Sequence, residues 1–230
     1  MTLSVNAQKW WNNERVKGNG NVTTITRSTG DYDGIDVGGF FDVILVKGTE
    51  GKIKIEGEEN LMEYIVTEVN RGVLKIKVEK GVNIKTTKRL TVTVPVKQID
   101  HVSLGGSGNI SGDLLLKADD FGVSIGGSGN IDLRIDAENV SSSISGSGNI
   151  KLEGKANYMK SSIAGSGTIK AYELQVNSIK ATIAGSGDIR VSVKDEIKAT
   201  VAGSGSIYYK GNPPKIKTKS VGSGSVKSRN

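Results

Sequence analysis

The chain has 230 residues, a formal net charge of +7, 36% hydrophobic and only 5% aromatic residues, 31 glycines and no cysteine. This length accommodates one large all-β domain, and the composition requires an aliphatic core with many tight turns. The missing cysteine excludes disulfides and thiolate metal sites. The basic residues are scattered among 24 acidic ones without a basic run or an aromatic platform, so nucleic-acid binding is disfavoured.

The N-terminal segment gives no targeting signal. Its first residues, MTLSVNAQKWW, lack the charged region and the hydrophobic block of a signal peptide. No stretch reaches the roughly 18–20 apolar residues of a membrane span, and the longest, FFDVILV at 40–46, is interrupted by Asp42. The chain is therefore expected to be either cytoplasmic or a mature exported form. Further on, GNGNV at 18–22 resembles the repeat described below and is interpreted as a detached eighth copy.

Residues 1–100 are predicted to form a β-rich region without a repeat. NLMEYIV at 60–66 predicts one helical turn, with Asn60 as its N-cap. No linker follows, so we expect this region to pack on the first turn of the repeats at 101–230 and to cap it. Alternating apolar and polar residues predict strands at 35–46, 52–56, 73–78 and 90–96.

A glycine-rich motif, with GGSGNI as its first copy, recurs seven times after residue 100. The first glycines of successive copies lie 21, 19, 19, 20, 18 and 19 residues apart. A period near 20 without a helical pattern or a leucine-rich consensus predicts a β-solenoid. The seven first glycines are Gly106, Gly127, Gly146, Gly165, Gly185, Gly203 and Gly222.

Alignment of the copies on these glycines separates the side chains by face. Aliphatic residues recur two and six positions before the glycine and four after it, as in the row Ile131, Ile150, Ile169 and Ile189. Alternation in register between copies predicts stacked parallel strands with inward aliphatic ladders, in a right-handed parallel β-helix or β-solenoid.

The Gly-Ser-Gly motif is interpreted as a corner between strands. A sharp turn needs a positive φ, which we predict for Gly148 or Gly167, and stacked corners leave little room for Cβ atoms. Short polar residues follow each corner and are expected to hydrogen-bond one another along the stack, beginning with Asn109, Asn130 and Asn149.

The sequence predicts no catalytic, cofactor-binding or metal-binding residue. A phosphate-binding loop would lead into a helix, whereas each corner leads into another β pattern. Calcium-binding β-rolls repeat every nine residues. His101 is the single histidine, and we interpret it as structural or exposed.

One outward face carries cations and tyrosines. Five residues after the first glycine stand Lys151, Lys170 and Arg190, on three adjacent turns, with Tyr172 and Tyr208 close by. Like charges in one column disfavour one another, so an anionic ligand such as a polysaccharide would relieve them. The alternative interpretation is a solvated basic strip.

The neighbouring outward column shows alternating charge. Asp113, Arg134 and Glu153 stand seven residues after successive first glycines and predict ion pairing between turns rather than a carboxylate cluster. A glycan-processing enzyme built on a β-helix would require such a cluster, and it remains the enzymatic alternative.

The order of the segments resembles a known family. DYDGIDVGGFFDVILVKG at 31–48, ENLMEYIVTEV at 59–69 and GVLKIKV at 72–78, followed by serial GSGNI loops, are similar to the head GIN domain family of putative auto-transporter adhesins. The resemblance covers about residues 18–226. It implies an exported, envelope- or surface-associated β-solenoid of Bacteroidetes-like bacteria without a catalytic motif.

Together these features predict a non-enzymatic, extracytoplasmic protein whose signal peptide has been removed. Its expected partner is a polysaccharide or a cell-surface protein, with no nucleic acid, no cofactor and no membrane span. A purely structural periplasmic module is the third interpretation.

Overall fold

The computed structural model describes residues 14–230, which form a right-handed β-solenoid of about seven turns. The predicted absence of a signal peptide concerns residues that lie outside this range. Within the described range, no helix has the length and apolar character needed to cross a membrane.

The N-terminal part alternates short strands with one helical turn, a 3-10 helix at Glu59–Tyr64. The predicted strands at 52–56, 73–78 and 90–96 are present, whereas the one predicted at 35–46 is divided into two strands between Gly39 and Asp42. Further strands occur that the sequence pattern did not indicate. The strands are β1 (Glu14–Lys17), β2 (Val22–Ser28), β3 (Gly34–Gly39), β4 (Asp42–Lys47), β5 (Lys52–Glu58), β6 (Ile65–Asn70), β7 (Val73–Val78), β8 (Val82–Lys85) and β9 (Thr91–Val96).

The repeats form long strands, each of which follows one turn of the solenoid from corner to corner. Every neighbouring pair in this part is parallel. The strands are β10 (His101–Gly106), β11 (Asn109–Gly127), β12 (Asn130–Gly146), β13 (Asn149–Gly165), β14 (Thr168–Gly185), β15 (Asp188–Gly203), β16 (Ser206–Lys210), β17 (Lys215–Val221) and β18 (Ser225–Ser228).

The predicted inward ladders are confirmed. Ile131 pairs with Ile150, Ile150 with Ile169, and Ile169 with Ile189, always in parallel register. All four side chains are at most 1% exposed. Because each isoleucine is covered by the like residue of the next turn, no single turn could bury its core alone.

The corners combine two different demands on glycine. The first glycine has a positive φ in every copy, for example 130° at Gly146 and 135° at Gly165. The prediction of a positive φ at Gly148 or Gly167 was wrong, since neither adopts one. The second glycine is needed for space instead: a Cβ on Gly148 would lie 2.5 Å from the carbonyl oxygen of Gly129 on the preceding turn.

The polar column after the corners forms the predicted ladder. The Nδ2 of Asn109 donates to Oδ1 of Asp42 at 2.6 Å, Asn130 donates to Asn109 at 2.9 Å, and Asn149 donates to Asn130 at 3.0 Å. These hydrogen bonds align the corners of successive turns, which keeps the side-chain columns on both faces in register.

An eighth corner lies at 39–42, and the interpretation of GNGNV at 18–22 as that copy was wrong. Strand β3 pairs in parallel with β10 so that Gly39 stands opposite Gly106, and β4 then pairs with the start of β11. The loop at 18–22 instead precedes β2, outside this column.

Phe41 occupies the place of the second glycine in this eighth corner and is fully buried. The next turn outward consists of β7 and β9, which pair in parallel with β3 and β4, but residues 79–90 leave the stack between them. No corner therefore lies beneath Phe41, so a large side chain fits where the later turns require glycine.

The N-terminal residues pack on the first repeat turn, as predicted. Beyond β7 and β9 the sheet ends in the antiparallel strands β6 and β5, with β2 pairing with β5. The parallel ladders thus continue across residue 100, and the division of the chain there stays a prediction.

Asn60 does not cap the helical turn, because that turn begins at Glu59 without a side-chain cap. Its amide instead donates to the carbonyl oxygen of Lys17 at 2.9 Å, and its Oδ1 accepts a hydrogen bond from the backbone N–H of Asn19 at 3.0 Å. Asn60 therefore fastens the segment between β1 and β2.

The last turn is atypical. Ser220 stands opposite Val201, as the alignment predicts, but every residue of β17 is exposed. Ile216, which the alignment places inward, is 48% exposed because no further turn covers it.

We expect Gly148→Ala to lower the free energy of unfolding by about 1–3 kcal/mol or more, because its Cβ would meet the Gly129 carbonyl oxygen. Gly126→Ala is the matched control, since a Cβ there has no heavy atom within 4 Å. The control should be neutral or up to about 1 kcal/mol more stable. Urea unfolding measures both, and equal effects would contradict the close-approach argument.

A buried carboxylate fastens the cap. Glu58 is 1% exposed, and its carboxylate accepts hydrogen bonds from the Gly20 N–H at 2.8 Å and from both the N–H and the hydroxyl of Thr87 at 2.7 Å. A further bond comes from the Lys88 N–H at 3.2 Å. Burial acts to raise the pKa of Glu58, but these hydrogen bonds outweigh it and lower the pKa from 4.5 to about 2.

This pKa predicts acid sensitivity. Since the folded-state pKa lies below 4.5, the Glu58 carboxylate stabilises the fold above that pH, and its contribution is lost as the pH falls towards about 2. Glu58→Gln should be less stable than the wild type near neutral pH, and the difference should shrink with acidification. Urea unfolding between about pH 6 and pH 2.5 tests this, and a constant difference would refute it.

Candidate functional site

The five predicted site residues lie on one outward face, which we name the tyrosine–cation face (Lys151, Lys170, Tyr172, Arg190 and Tyr208). Lys151 pairs in register with Lys170, Lys170 with Arg190, and Arg190 with Tyr208. The two lysines are exposed, whereas the arginine and both tyrosines are half-buried. Parallel pairing places neighbouring members of the column about 4.8 Å apart at the backbone.

Lys151 is neutralised within the protein. Its Nζ lies 2.7 Å from Oε1 of Glu153 and 3.2 Å from Oδ2 of Asp132. The hydrogen bond to Glu153, followed by that to Asp132, raises the pKa of Lys151, and Lys151 in turn lowers the pKa of Glu153. The positive charge available to a ligand at this end of the face is therefore small.

The predicted alternating column is only partly formed. Arg134 Nε lies 3.9 Å from Oε2 of Glu153, as that prediction requires. Asp113 does not join them, because the register shifts between Gly112 and Leu115 so that Leu115 stands opposite Arg134. The irregularity of β11 removes this carboxylate from the column.

The positive charge of the face is concentrated on later turns. Arg190 Nη2 lies 3.7 Å from Oδ2 of Asp188, a loose ion pair. Lys170 forms no ion pair within the described part of the chain. Lys170 and Arg190 are thus the cations that the face presents most freely.

Tyr172 lies in a bulge of β14. Its register partner is missing, because Ala171 pairs with Val191 whereas Gln175 pairs with Ser192, which leaves three extra residues on β14. The hydroxyl of Ser192 donates to the Tyr172 carbonyl oxygen at 2.6 Å and fixes this bulge.

Each tyrosine ring carries a cation on its face. Lys210 Nζ lies 4.7 Å from the centroid of the Tyr172 ring, and Arg229 Cζ lies 4.8 Å from that of Tyr208. Burial raises the pKa of Tyr172, whereas Arg190 and Arg229 lower it, which places both guanidinium groups within its electrostatic range. The face therefore gathers two rings and four cations at its C-terminal end.

Lys210 and Arg229 were not among the predicted site residues. Both stand seven positions after a first glycine, so the aligned sequence places them on this face. The contact of Lys210 with the Tyr172 ring depends on the bulge at Tyr172, which the regular period does not predict.

The N-terminal end of the same face is apolar. Ile44 pairs with Ser111 at the start of the cationic column and is 42% exposed, and Leu115 is 46% exposed. Along the stack, the face thus changes from apolar, through paired charges, to cationic and aromatic.

The described residues contain no cluster of metal-binding type. No group of three or more His, Asp or Glu side chains in residues 14–230 is arranged to hold a metal ion. His101 Nδ1 lies 2.8 Å from Oδ1 of Asp100, and its ring packs where a Cβ of Gly34 would otherwise be. Its environment fits the structural interpretation.

The stacked parallel turns define a protein of the β-solenoid class, with columns of cations and aromatic rings on its outward faces. The sequence profile of one family matches residues 31–213, and the chain belongs to that family, the putative auto-transporter adhesins with a head GIN domain. The resemblance expected from the sequence is thereby confirmed. Among curated proteins, none matches the chain.

Solved structures from Bacteroidetes share the fold. A putative adhesin from Bacteroides fragilis is 25% identical, with a TM-score of 0.88 over 93% of this chain and 100% of its own. A putative lipid binding protein from Parabacteroides distasonis is 30% identical, with a TM-score of 0.78 over 94% and 100%. A putative adhesin from Parabacteroides merdae is 26% identical, with a TM-score of 0.75 over 94% and 100%. The family is one of putative adhesins, and it indicates an extracytoplasmic location.

The different pairing of the lysines predicts different effects on stability. Lys151→Ser should lower the free energy of unfolding by about 0.2–1 kcal/mol, because it leaves two neighbouring carboxylates without their cation. Lys170→Ser, the matched control on the next turn, should be neutral or slightly stabilising, since it removes an unpaired charge. Urea unfolding in low salt measures both, and a larger loss in the Lys170 variant would contradict the assignment.

Proposed function

We propose that this protein is a non-enzymatic, extracytoplasmic adhesin that binds a glycan through the tyrosine–cation face. The observation that carries the proposal is the convergence of two half-buried tyrosine rings with cations placed over them. Such rings offer flat surfaces on which sugar rings stack, and they are anchored by cation–π contacts rather than free to rotate. A protein partner is the other class of ligand compatible with adhesion.

The charge distribution favours an acidic sugar. Lys170 is unpaired within the described residues and lies on the same turn as Tyr172, whereas Arg190 is only loosely paired and lies one turn from each tyrosine. These cations would contact a carboxylate or sulfate on a sugar that stacks on Tyr172 or Tyr208. Lys151, which Asp132 and Glu153 neutralise, would form the edge of the site. Binding should be weak and sensitive to salt, because exposed charges are screened over about 8 Å at physiological ionic strength.

The family indicates an extracytoplasmic location, and the compartment and the signal peptide are part of the proposal. An adhesin must reach the cell surface or the periplasm, so we propose export through a precursor with a signal peptide. Fractionation of the native cells, with N-terminal sequencing of the protein, tests this. Recovery of the protein in the cytoplasm alone would contradict the adhesin function.

The binding test uses immobilised neutral and acidic glycans. We expect the wild type to bind acidic glycans, and the double variant Tyr172→Ala and Tyr208→Ala to bind on the order of tenfold more weakly, because both stacking surfaces are lost. Tyr158→Ala is the matched control, since Tyr158 is 38% exposed but lies before the corner on another face. Equal loss in the control, or no binding by the wild type, would refute the site.

A lipid is a second candidate ligand. One relative is described as a lipid binding protein, and the apolar end of the same face exposes Ile44 and Leu115. An amphipathic lipid with an anionic headgroup would match this change from apolar to cationic surface. Sedimentation with anionic vesicles separates the two candidates: loss of vesicle binding in Ile44→Ser, with glycan binding absent, would favour the lipid.

A further inference from the structure

A second cationic column lies on the face that precedes the corner. Lys160 pairs in register with Lys180, Lys180 with Lys198, and Lys198 with Lys217. All four are exposed and stand five residues before the first glycine of their turns. At about 4.8 Å per turn, the four backbone positions extend over roughly 14 Å in a straight line. We name this column the lysine ladder.

The lysine ladder is far less neutralised than the tyrosine–cation face. Within the described residues, only Lys198 of the four forms an ion pair, with Glu196 Oε1 at 3.2 Å. The last turn adds Lys215 and Lys219 on either side of the ladder. Among these six lysines, the one ion pair within the described residues is that of Lys198 with Glu196. Like charges this close repel one another, and no carboxylate of the fold relieves them at the other positions.

A trough spans the turns from β10 to β14 and adjoins the ladder at Lys160 and Lys180. Its volume is about 550 Å³, and hydroxyl side chains such as Ser143, Ser162 and Thr182 line it. Small residues such as Ala164 and Ala184 form its floor. Ser162 and Thr182 each follow a ladder lysine by two residues, so charge and a hydrogen-bonding group occur together on these two turns.

We infer that the lysine ladder and this trough bind a linear acidic polysaccharide that lies along the solenoid axis. Its carboxylates pair with Lys160, Lys180 and Lys217, and its ring hydroxyls hydrogen-bond to Ser162 and Thr182. The small residues of the floor let the sugar rings approach the sheet closely. This is a separate site from the tyrosine–cation face, and it extends the proposed adhesin function to a polymer.

The geometry favours a polysaccharide over other polyanions. A DNA duplex winds its phosphates around the helix axis, so a straight row of lysines meets only a short arc of them. Single strands are held by stacking on aromatic side chains, and the trough floor has none. A lipid surface requires apolar side chains that enter the bilayer, whereas the isoleucines that line this trough, such as Ile144 and Ile163, are only 2% exposed.

The experiment measures binding of polygalacturonate, a linear uronic acid polymer, by the full chain in low salt. The triple variant Lys160→Gln, Lys180→Gln and Lys217→Gln should bind about threefold more weakly per lysine, or on the order of thirtyfold in total. The matched control is Lys52→Gln, Lys54→Gln and Lys80→Gln, three exposed lysines of the cap, with the same loss of net charge. The control should bind as the wild type does.

Each outcome decides between interpretations. Absent binding by the wild type, or an equal loss in the control, refutes the ladder as a site. Unchanged binding of the methyl-esterified polymer refutes the role of carboxylates, and stronger retention on duplex DNA than on polygalacturonate refutes the polysaccharide. The tyrosine double variant separates the two proposals. Loss of polygalacturonate binding in the lysine triple variant but not in the tyrosine double variant assigns the polymer to the lysine ladder, and the converse refutes the ladder and assigns the polymer to the tyrosine–cation face.

Discussion

The structure depends on the close approach of consecutive corner backbones. The carbonyl oxygen of Gly127 accepts hydrogen bonds from the N–H groups of both Ser147, at 2.9 Å, and Gly148, at 3.1 Å, on the next turn. A Cβ at Gly146 would lie 2.3 Å from this same oxygen, and a Cβ at Gly148 would lie 2.5 Å from the Gly129 carbonyl oxygen, so glycine is the residue that permits this pair of hydrogen bonds. The corners thereby set the same axial spacing between all successive turns. The buried isoleucine ladders and the exposed columns follow from that common spacing, since residues at the same distance along the chain from their corners must stack.

Because the turns stack, a type of side chain that recurs at one offset of the repeat forms a continuous row along the solenoid axis. A cation that recurs at one offset becomes a row, and its effect then depends on what recurs beside it. On the tyrosine–cation face Asp132 precedes Lys151 in the same column and Glu153 stands at the neighbouring offset, and both neutralise Lys151. On the other face the neighbours of the lysine ladder are mostly hydroxyls and small residues, so its charge persists. The same scaffold thus carries two faces of different electrostatic character.

The sequence predicted the solenoid well because near-identical copies remove ambiguity about which residues share a face. The inward rows, the asparagine ladder and the exposed column with Lys151 and Lys170 all follow from alignment on one glycine. The eighth corner escaped that alignment, because Phe41 stands where the repeat has glycine and the chain then leaves the stack for the cap. The contacts of Tyr172 could not be predicted from the alignment either, since they depend on a bulge that a fixed period does not include. The lysine ladder could be predicted from the same alignment, because its lysines stand five residues before the first glycines, but this offset lies outside the aliphatic rows.

The long chain segment between the first two stacked corners affects the order in which the turns fold. Gly39 and Gly106 stand opposite each other but are 67 residues apart, whereas Gly127 and Gly146 are 19 apart. Closing the longer loop costs about 1 kcal/mol more in chain entropy, so the repeat turns nucleate more readily than the joint between cap and solenoid. We therefore expect refolding to proceed from the repeats towards the cap, with docking of β3 on β10 as the late step. Until then the first repeat turn offers a bare strand edge to other chains, which makes this joint the point where assembly and aggregation compete.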